Sequence, residues 1–563
     1  MTPDQLNENY EKLKEQRAPW ETLWHEIGTY VCPRRQYGLG GTITPSTEKE
    51  SRLYDTTAGR AADTLANGQL AWMSPMETAW FAFEPPDNVK DEAAKRYLAE
   101  CSSITRKKLS GSNFYTSIHE FYLDRGVFGT ACLFIEPGRK FPLNVQYWPV
   151  GSYVIDIDFE GNVDTVYREH EFTLRALVDE FGLAALSDKL QKLWLEAKQP
   201  QTKVKIVCSI FPRKERDQTK IDSKNMPWAC IHWELETKHI VRETGYEEMP
   251  VFVSRYLEWG SIFGSFYGWS PSFMALPEAR QVNFLQKMMD ALAEKMAFPP
   301  MLAPDELEGE IDPNANGVTY FSSDLVNRLP RPLQENQRYD IGLQRVQERQ
   351  GAIDKAFHVD LFNMFATLEK QMTAREVAAR EQEKLIQFSP TFARLTTELF
   401  TPAMQRIFAI GLRKGWYGEV PESLVQPLDG QRNFVQPPNI EYTSRIALAL
   451  RSLPAMAYYR TIERVGMLAP MVPEVLDLYD FDKAEKETAL ADGVPPEYIN
   501  QEERVSEIRE ARAAAAQQAQ QMEQAAAAAK AASDLGNVPQ NSPVGQALRG
   551  ANKMTTTPGM PAI

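Results

Sequence analysis

Apolar residues near the start of the chain, Leu6, Tyr10, Leu13, Trp20, Trp24, Ile27 and Val31, recur at three-four spacing or its seven-residue sum. That predicts one apolar stripe on a helix, interrupted at Pro19. A second helix is expected from about Thr57 to Ala71. From Val127 to about Leu257 the period becomes that of strands. The runs Tyr153 to Phe159 and Val163 to Arg168 flank Glu160-Gly161-Asn162, a hairpin signal with glycine in the turn. Lys203 to Phe211, Trp228 to Val241 and Pro250 to Tyr256 extend the sheet, and a helix from about Leu174 to Ala197 interrupts it. Residues 1 to about 265 therefore read as a large α+β module, closed by a tightly packed loop carrying Gly260, Gly264 and Gly268.

Beyond that loop the helical period returns. Pro277 suits a first helical position, and Val282, Leu285, Met289, Leu292 and Met296 repeat at three and four residues until Pro299-Pro300 stops the helix. Residues 299 to 338 carry six prolines and a strand-like Gly317 to Phe321, a compact non-helical insert. A further helix places Val346, Ile353, Phe357, Leu361 and Met364 on one side, so the two helices form an antiparallel pair with the insert at its tip. Thr373 and Glu376 form a capping box that starts the next helix, with Met372 and Val377 as a hydrophobic staple. It runs to Gln387, restarts at Ser389-Pro390 and reaches Gly415 with a bend at Pro402. Residues 440 to 510 are mainly helical with proline breaks. Ala511 to Ala532 hold thirteen Ala and five Gln, a strong helix former with a thin apolar surface.

Composition narrows the class. At 563 residues, 43% hydrophobic and 25% charged, the chain is a folded one of several modules. Its net charge of −14 argues against gripping nucleic acid over its whole surface. No run of about 18 apolar residues occurs, so no membrane span is expected, and the polar stretch Thr2 to Gln16 does not read as a signal peptide. Cys32, Cys101, Cys132, Cys208 and Cys230 are far apart in sequence and odd in number, and read as buried free thiols with no zinc site.

Catalytic signatures are missing. No Gly-Lys pair occurs, which excludes a phosphate-binding loop of the GxxxxGK[ST] type. Gly38, Gly40 and Gly41 fall short of a dinucleotide fingerprint. The six histidines include no His-Glu-x-x-His pair, and Gly-x-Ser-x-Gly is absent. In Glu169-His170-Glu171 the two carboxylates share one strand face and the imidazole the other, which reads as an exposed edge. No catalytic residue, metal site or cofactor is assigned.

A resemblance carries what composition does not. Trp20 to Tyr30 (WETLWHEIGTY), Leu53 to Leu70 (LYDTTAGRAADTLANGQL) and Trp80 to Pro86 resemble the opening of the head-to-tail connector (portal) proteins of short-tailed, podovirus-type bacteriophages. The resemblance continues at Tyr267 to Pro271, at Ala275-Leu276-Pro277 with Asn283, at Met372 to Val377, at Gly493-Val494-Pro495 and at Gln501 to Val505. It covers roughly residues 15 to 510.

The resemblance implies a portal architecture of α+β class. Residues 1–265 correspond to the wing, 266–298 and 339–362 to the two stem helices, 299–338 to the clip, and 363–373 to the channel loop. Residues 374–439 correspond to a long bent helix and wing return, 440–510 to the crown, 511–532 to a C-terminal helix, and 533–563 to a mobile tail. It implies a ring of twelve subunits at one vertex of the virion capsid, assembled in the host cytoplasm. The ring passes double-stranded DNA and docks a terminase motor and later a tail adaptor, alongside the major capsid and scaffolding proteins. Stem packing is expected at Val282, Leu285, Met289, Leu292 and Met296. Clip docking is expected at Glu308 and Glu310, within a segment of seven acidic and three basic residues. DNA contact is expected at Lys370 and Arg375. The stretch Ala366 to Phe388 has four cations against four anions, and a lining without net charge suits sliding. Two other classes stay open on the residues alone, a cytoplasmic scaffolding or coiled-coil assembly protein and an enzyme with a scattered active site.

Overall fold

The computed structural model describes residues 2–38, 53–89, 91–217, 220, 222–260, 266–297, 301–302, 331–332, 339–362, 388–428, 432–444, 447, 458–459, 461–491, 500 and 502–536. They fall into two compact units, Met1–Leu453 and Pro454–Ile563.

The first unit opens with one unbroken helix, α1 (Pro3–Tyr30), capped by Thr2 with a reciprocal Gln5 bond. Pro19 lies inside α1 and does not interrupt it. Its ring is exposed, so the carbonyl left without a donor faces water. Burial of Leu6, Tyr10, Leu13, Trp24 and Ile27 on the other side offsets a proline cost of about 3 kcal/mol. The expected second helix is α2 (Thr57–Met73), followed by β1 (Phe81–Glu84), α3 (Glu92–Ser110) and α4 (Phe114–Phe128).

The strand region makes two sheets. A three-stranded sheet joins β2 (Thr130–Pro137), β3 (Leu143–Trp148) and β9 (Val251–Arg255) in the order β3-β2-β9. A five-stranded antiparallel sheet runs in sequence order through β4 (Tyr153–Ile157), β5 (Val163–Thr173), β6 (Lys203–Pro212), β7 (Trp228–Glu234) and β8 (Ile240–Tyr246). The expected hairpin is β4–β5, with Gly161 at φ +85° in its turn, a backbone state open to glycine. Two expectations change. Trp228 to Val241 is two strands, and the Leu174–Ala197 helix is two short ones, α5 (Leu174–Phe181) and α6 (Asp188–Leu195), because Gly182 at φ +83° ends the first.

Strand alternation gives the five-stranded sheet two packed faces. Leu6, Tyr10 and Leu13 of α1 cover Val154, Tyr167, Val207, Ile231 and Trp233. Leu174, Leu177, Leu186 and Leu190 cover Ile206 and Val241 on the other. β5 is thus an inner strand and not the exposed edge expected around Glu169. Instead Glu169 accepts from Tyr10 at 2.5 Å and Lys205 at 2.7 Å.

The principal core runs from Trp24 to Ala447 and crosses the boundary expected near residue 265. Helix α7 (Pro271–Ala297) begins six residues before Pro277, which sits exposed within it. The pair β10 (Met301–Leu302) and β11 (Arg331–Pro332) is antiparallel, and α8 (Tyr339–Ala356) and α9 (Val359–Phe362) follow. Residues 388–395 are helical, Thr396–Phe400 widen to π spacing, and α10 (Thr401–Arg413) continues. The irregularity expected at Pro402 is this π turn. After β12 (Val425–Leu428) and β13 (Arg432–Val435), β14 (Asn439–Tyr442) pairs with β1 in the register Phe81 to Tyr442, returning the chain to its start.

In the second unit α11 (Phe481–Ala491) and α12 (Glu502–Gly536) are joined by the Arg509–Asp482 ion pair. Ala511 to Ala532 lie within α12, which extends four residues into the expected tail.

Candidate functional site

Helices α7 and α8 are antiparallel. Arg349 bonds Glu278, whereas Gly342 packs against Met289, so the contact advances along one helix as it retreats along the other. A Cβ at Gly342 would press on the Met289 sulfur, which would have to shift. Val282, Met289, Val346 and Ile353 are buried in this seam. Leu285 and Leu292 are half-buried, and Met296, seven residues beyond Met289, is 51% exposed. The sequence repeat is thus largely an intramolecular seam.

A second apolar stripe on the pair is uncovered. Phe284 is 60% and Met288 44% exposed, and Ile341 and Leu343 at the start of α8 are also exposed. Phe284 and Met288, four residues apart, share one helix face, displaced from the Val282–Met289 seam. Isolated exposed apolar residues are ordinary; the Phe284–Met288 pair on one face of α7 goes beyond that.

The region between α8 and the π turn is held from two directions. His358, at φ +56°, turns the chain from α8 into α9. Phe357 and Leu361 are buried, and Phe362 packs edge-on against Trp72 at 5.5 Å and over Gly68. Phe388 touches the rings of His358, Phe362 and Tyr256. Phe362 and Phe388 therefore belong to one aromatic cluster. Burial holds His358 below the usual histidine range.

Ionic ties fix the helical stretch that follows. Glu398, in the π turn, accepts from the Arg255 amide at 2.7 Å and guanidinium at 2.8 and 3.0 Å, and from Arg394 at 2.9 Å. Arg394 also reaches Glu258 at 2.8 Å. Arg125 donates to the Thr391 carbonyl at 2.8 Å, and Arg406 to the carbonyls of Ile135 and Glu248. Burial brings Arg125 and Arg406 down to about 10, still charged at neutral pH. These arginines bond carbonyls on β2 and near β9, so helix and sheet form one frame. Apart from the i,i+4 pair Arg394–Glu398, these ties were not legible in sequence, because charge type alone does not fix partners 130 or more residues away.

Of the expected site residues, Glu308, Glu310, Lys370, Thr373, Arg375 and Glu376 lie outside the described residues. So do the Gly317 to Phe321 run, Met364, Met372 and Gly264. The paired β10 and β11 bring both ends of the insert together. All five cysteines are free thiols, four of them buried as expected and Cys208 only partly so; Cys208 and Cys230, separated in sequence, bring their sulfurs to 3.8 Å from each other. No helix among the described residues is long and apolar enough to cross a membrane.

The profile of the bacteriophage head to tail connecting protein family matches residues 3–499. The chain therefore belongs to this family of phage head-to-tail connectors. It is 29% identical over 515 residues to the portal protein of Salmonella phage epsilon15, covering 90% of each chain. It is 29% identical over 505 residues to the probable portal protein of Bordetella phage BPP-1, covering 88% of this chain and 89% of the other. Among solved structures, the virion of a native gene transfer agent particle aligns at 12% identity with TM-score 0.33, covering 78% of this chain and 90% of that one. The neck of that particle aligns at 11% identity with TM-score 0.34 over the same shares.

Proposed function

We propose that the chain is the portal subunit of a short-tailed phage virion, forming a ring channel at one capsid vertex through which double-stranded DNA is packaged and later ejected. The family match across residues 3–499 carries this reading. The α7/α8 pair is the stem: at about 1.5 Å per residue, the 27 residues of α7 span roughly 40 Å. Its uncovered Phe284–Met288 stripe faces the neighbouring subunit of a ring, twelve in number by the resemblance. Residues 299–338 are the clip, whose Glu308 and Glu310 steer first a terminase motor and then a tail adaptor. Residues 1–265 supply the wing, 374–439 the long helix and wing return, and 440–510 the crown, bordered by capsid and scaffolding proteins.

The channel reading has a physical logic. A duplex carries a charge about every 1.7 Å, and six to ten phosphate contacts make a tight binder. A loop at 363–373 carrying Lys370, with Arg375 just beyond it and nearby carboxylates in balance, touches DNA without holding it. The chain supplies passage and no catalysis. The test is DNA retained per capsid in phage complemented with the Lys370→Ala, Arg375→Ala double variant. Procapsids and rings should form normally while retention falls; normal filling and retention would remove DNA contact from these residues.

A further inference from the structure

We propose that Cys208, Cys230 and His232 form a binding site for a soft divalent metal ion, Zn²⁺ by ligand chemistry, with its fourth position open to a cleft. The site follows from sheet register. Cys208 lies opposite His232 across β6 and β7, and Cys230, two residues before His232, shares its face because side chains alternate along a strand. A Cys-x-His step on one strand and a cysteine on its neighbour thus converge, although they are 22 residues apart in sequence. It is the one group of three such ligand atoms within metal-binding reach among the described residues.

The distances suit coordination. The sulfurs are 3.8 Å apart, Cys230 Sγ is 3.9 Å from His232 Nδ1, and all three atoms lie within 4.8 Å of one another. A triangle with those sides has its centre within about 2.5 Å of each corner, against metal–ligand lengths of roughly 2.0–2.3 Å. Tetrahedral zinc with two thiolates sets the sulfurs roughly 3.8 Å apart by the same bond lengths. Little movement is required.

Binding forms two metal–sulfur bonds and one metal–nitrogen bond and releases both thiol protons to solvent, with no change of oxidation state. The nearby cations do not block the site. Arg242 is tied to Glu180 at 3.4 Å, and Arg168 stacks on Trp148 at 4.5 Å while donating to Gln146. Two thiolates cancel the charge of the metal.

The three ligands line a cleft of about 820 Å³ together with Phe134, Arg168 and Tyr246. An open fourth position there distinguishes this site from a closed structural zinc site, which has four protein ligands. Arg168 Nε, buried and without a hydrogen-bond partner among the described residues, is available to a water or anion on the metal.

The test is Co²⁺ titration of the reduced full-length protein, read by thiolate-to-cobalt charge transfer and the visible bands of a tetrahedral centre, with native mass spectrometry for stoichiometry. One ion per chain is expected, displaced by Zn²⁺. Cys230→Ser, Cys208→Ser and His232→Gln should each weaken binding by at least about tenfold, since loss of even an outer-shell partner costs about 10–100-fold. Cys101→Ser should bind as the parent does. If one cysteine variant is insoluble, the His232→Gln spectrum decides. Absence of the charge-transfer band in the parent, equal binding in all variants, or a Cys208–Cys230 disulfide in protein isolated under reducing conditions would each overturn the proposal.

Discussion

Phe362 and Phe388 meet edge to face, with ring centroids 6.0 Å apart and planes at 86°. Positions 362 and 388 are thereby brought together in one aromatic cluster. Phe388 is buried, and its loss leaves a cavity beneath His358 and Tyr256. Phe388→Ala should destabilise the first unit by about 3–5 kcal/mol, lowering the urea midpoint. DNA retention should fall more than ring yield. Equal loss of both would make this contact a general core contact and nothing more.

Glu398 joins Arg255 and Arg394 in a setting where its side chain is 13% and that of Arg255 5% exposed. Removing the shared carboxylate takes the Glu398 ion pair from Arg255 and leaves Arg394 paired with Glu258. Glu398→Ala should cost about 3–5 kcal/mol, the usual penalty for breaking a buried ion pair from one side. Glu398→Gln, which still accepts hydrogen bonds, should cost less. Denaturant unfolding of the two variants distinguishes charge from hydrogen bonding.

His358 should make stability fall with acidification. Its folded value lies below its ordinary 6.5 through burial, against a weaker opposing pull from Asp360. Below about pH 6.5 the unfolded chain binds a proton that the folded chain refuses, so stability declines as pH drops. His358→Asn retains a residue type that tolerates the left-handed backbone and should show a shallower decline between pH 7 and 5. Urea midpoints at the two pH values measure it.

Much of this was legible as local periodicity. The stripes of α1 and α2, the β4–β5 hairpin and the helix pair follow from spacing alone. Proline misled at Pro19 and Pro277, because an exposed proline on a helix with a strongly buried opposite face is tolerated. The rest is register and long-range pairing. Nothing near Phe81 announces Tyr442 as its partner, and the uncovered Phe284 and Met288 look no different in sequence from the buried Val282 and Met289. Cys208, Cys230 and His232 read as scattered until β6 and β7 are laid side by side.

The two stripes on α7 should separate folding from assembly. Val282→Asp and Met289→Asp place charge in the intramolecular seam and should lower the yield of folded chain, at several kcal/mol each. Phe284→Asp with Met288→Asp should leave circular dichroism and thermal unfolding of the single chain nearly unchanged while abolishing the large species in analytical ultracentrifugation. Failure of both pairs to affect assembly would move the subunit interface elsewhere.

Class-averaged electron micrographs of the purified full-length protein decide whether it builds a ring channel. Closed rings with rotational symmetry and a central opening wide enough for a DNA duplex are expected, and these are lost in the Phe284→Asp, Met288→Asp variant. A homogeneous population of monomers or of compact oligomers without a central channel, under conditions where the chain is folded, would contradict a ring channel.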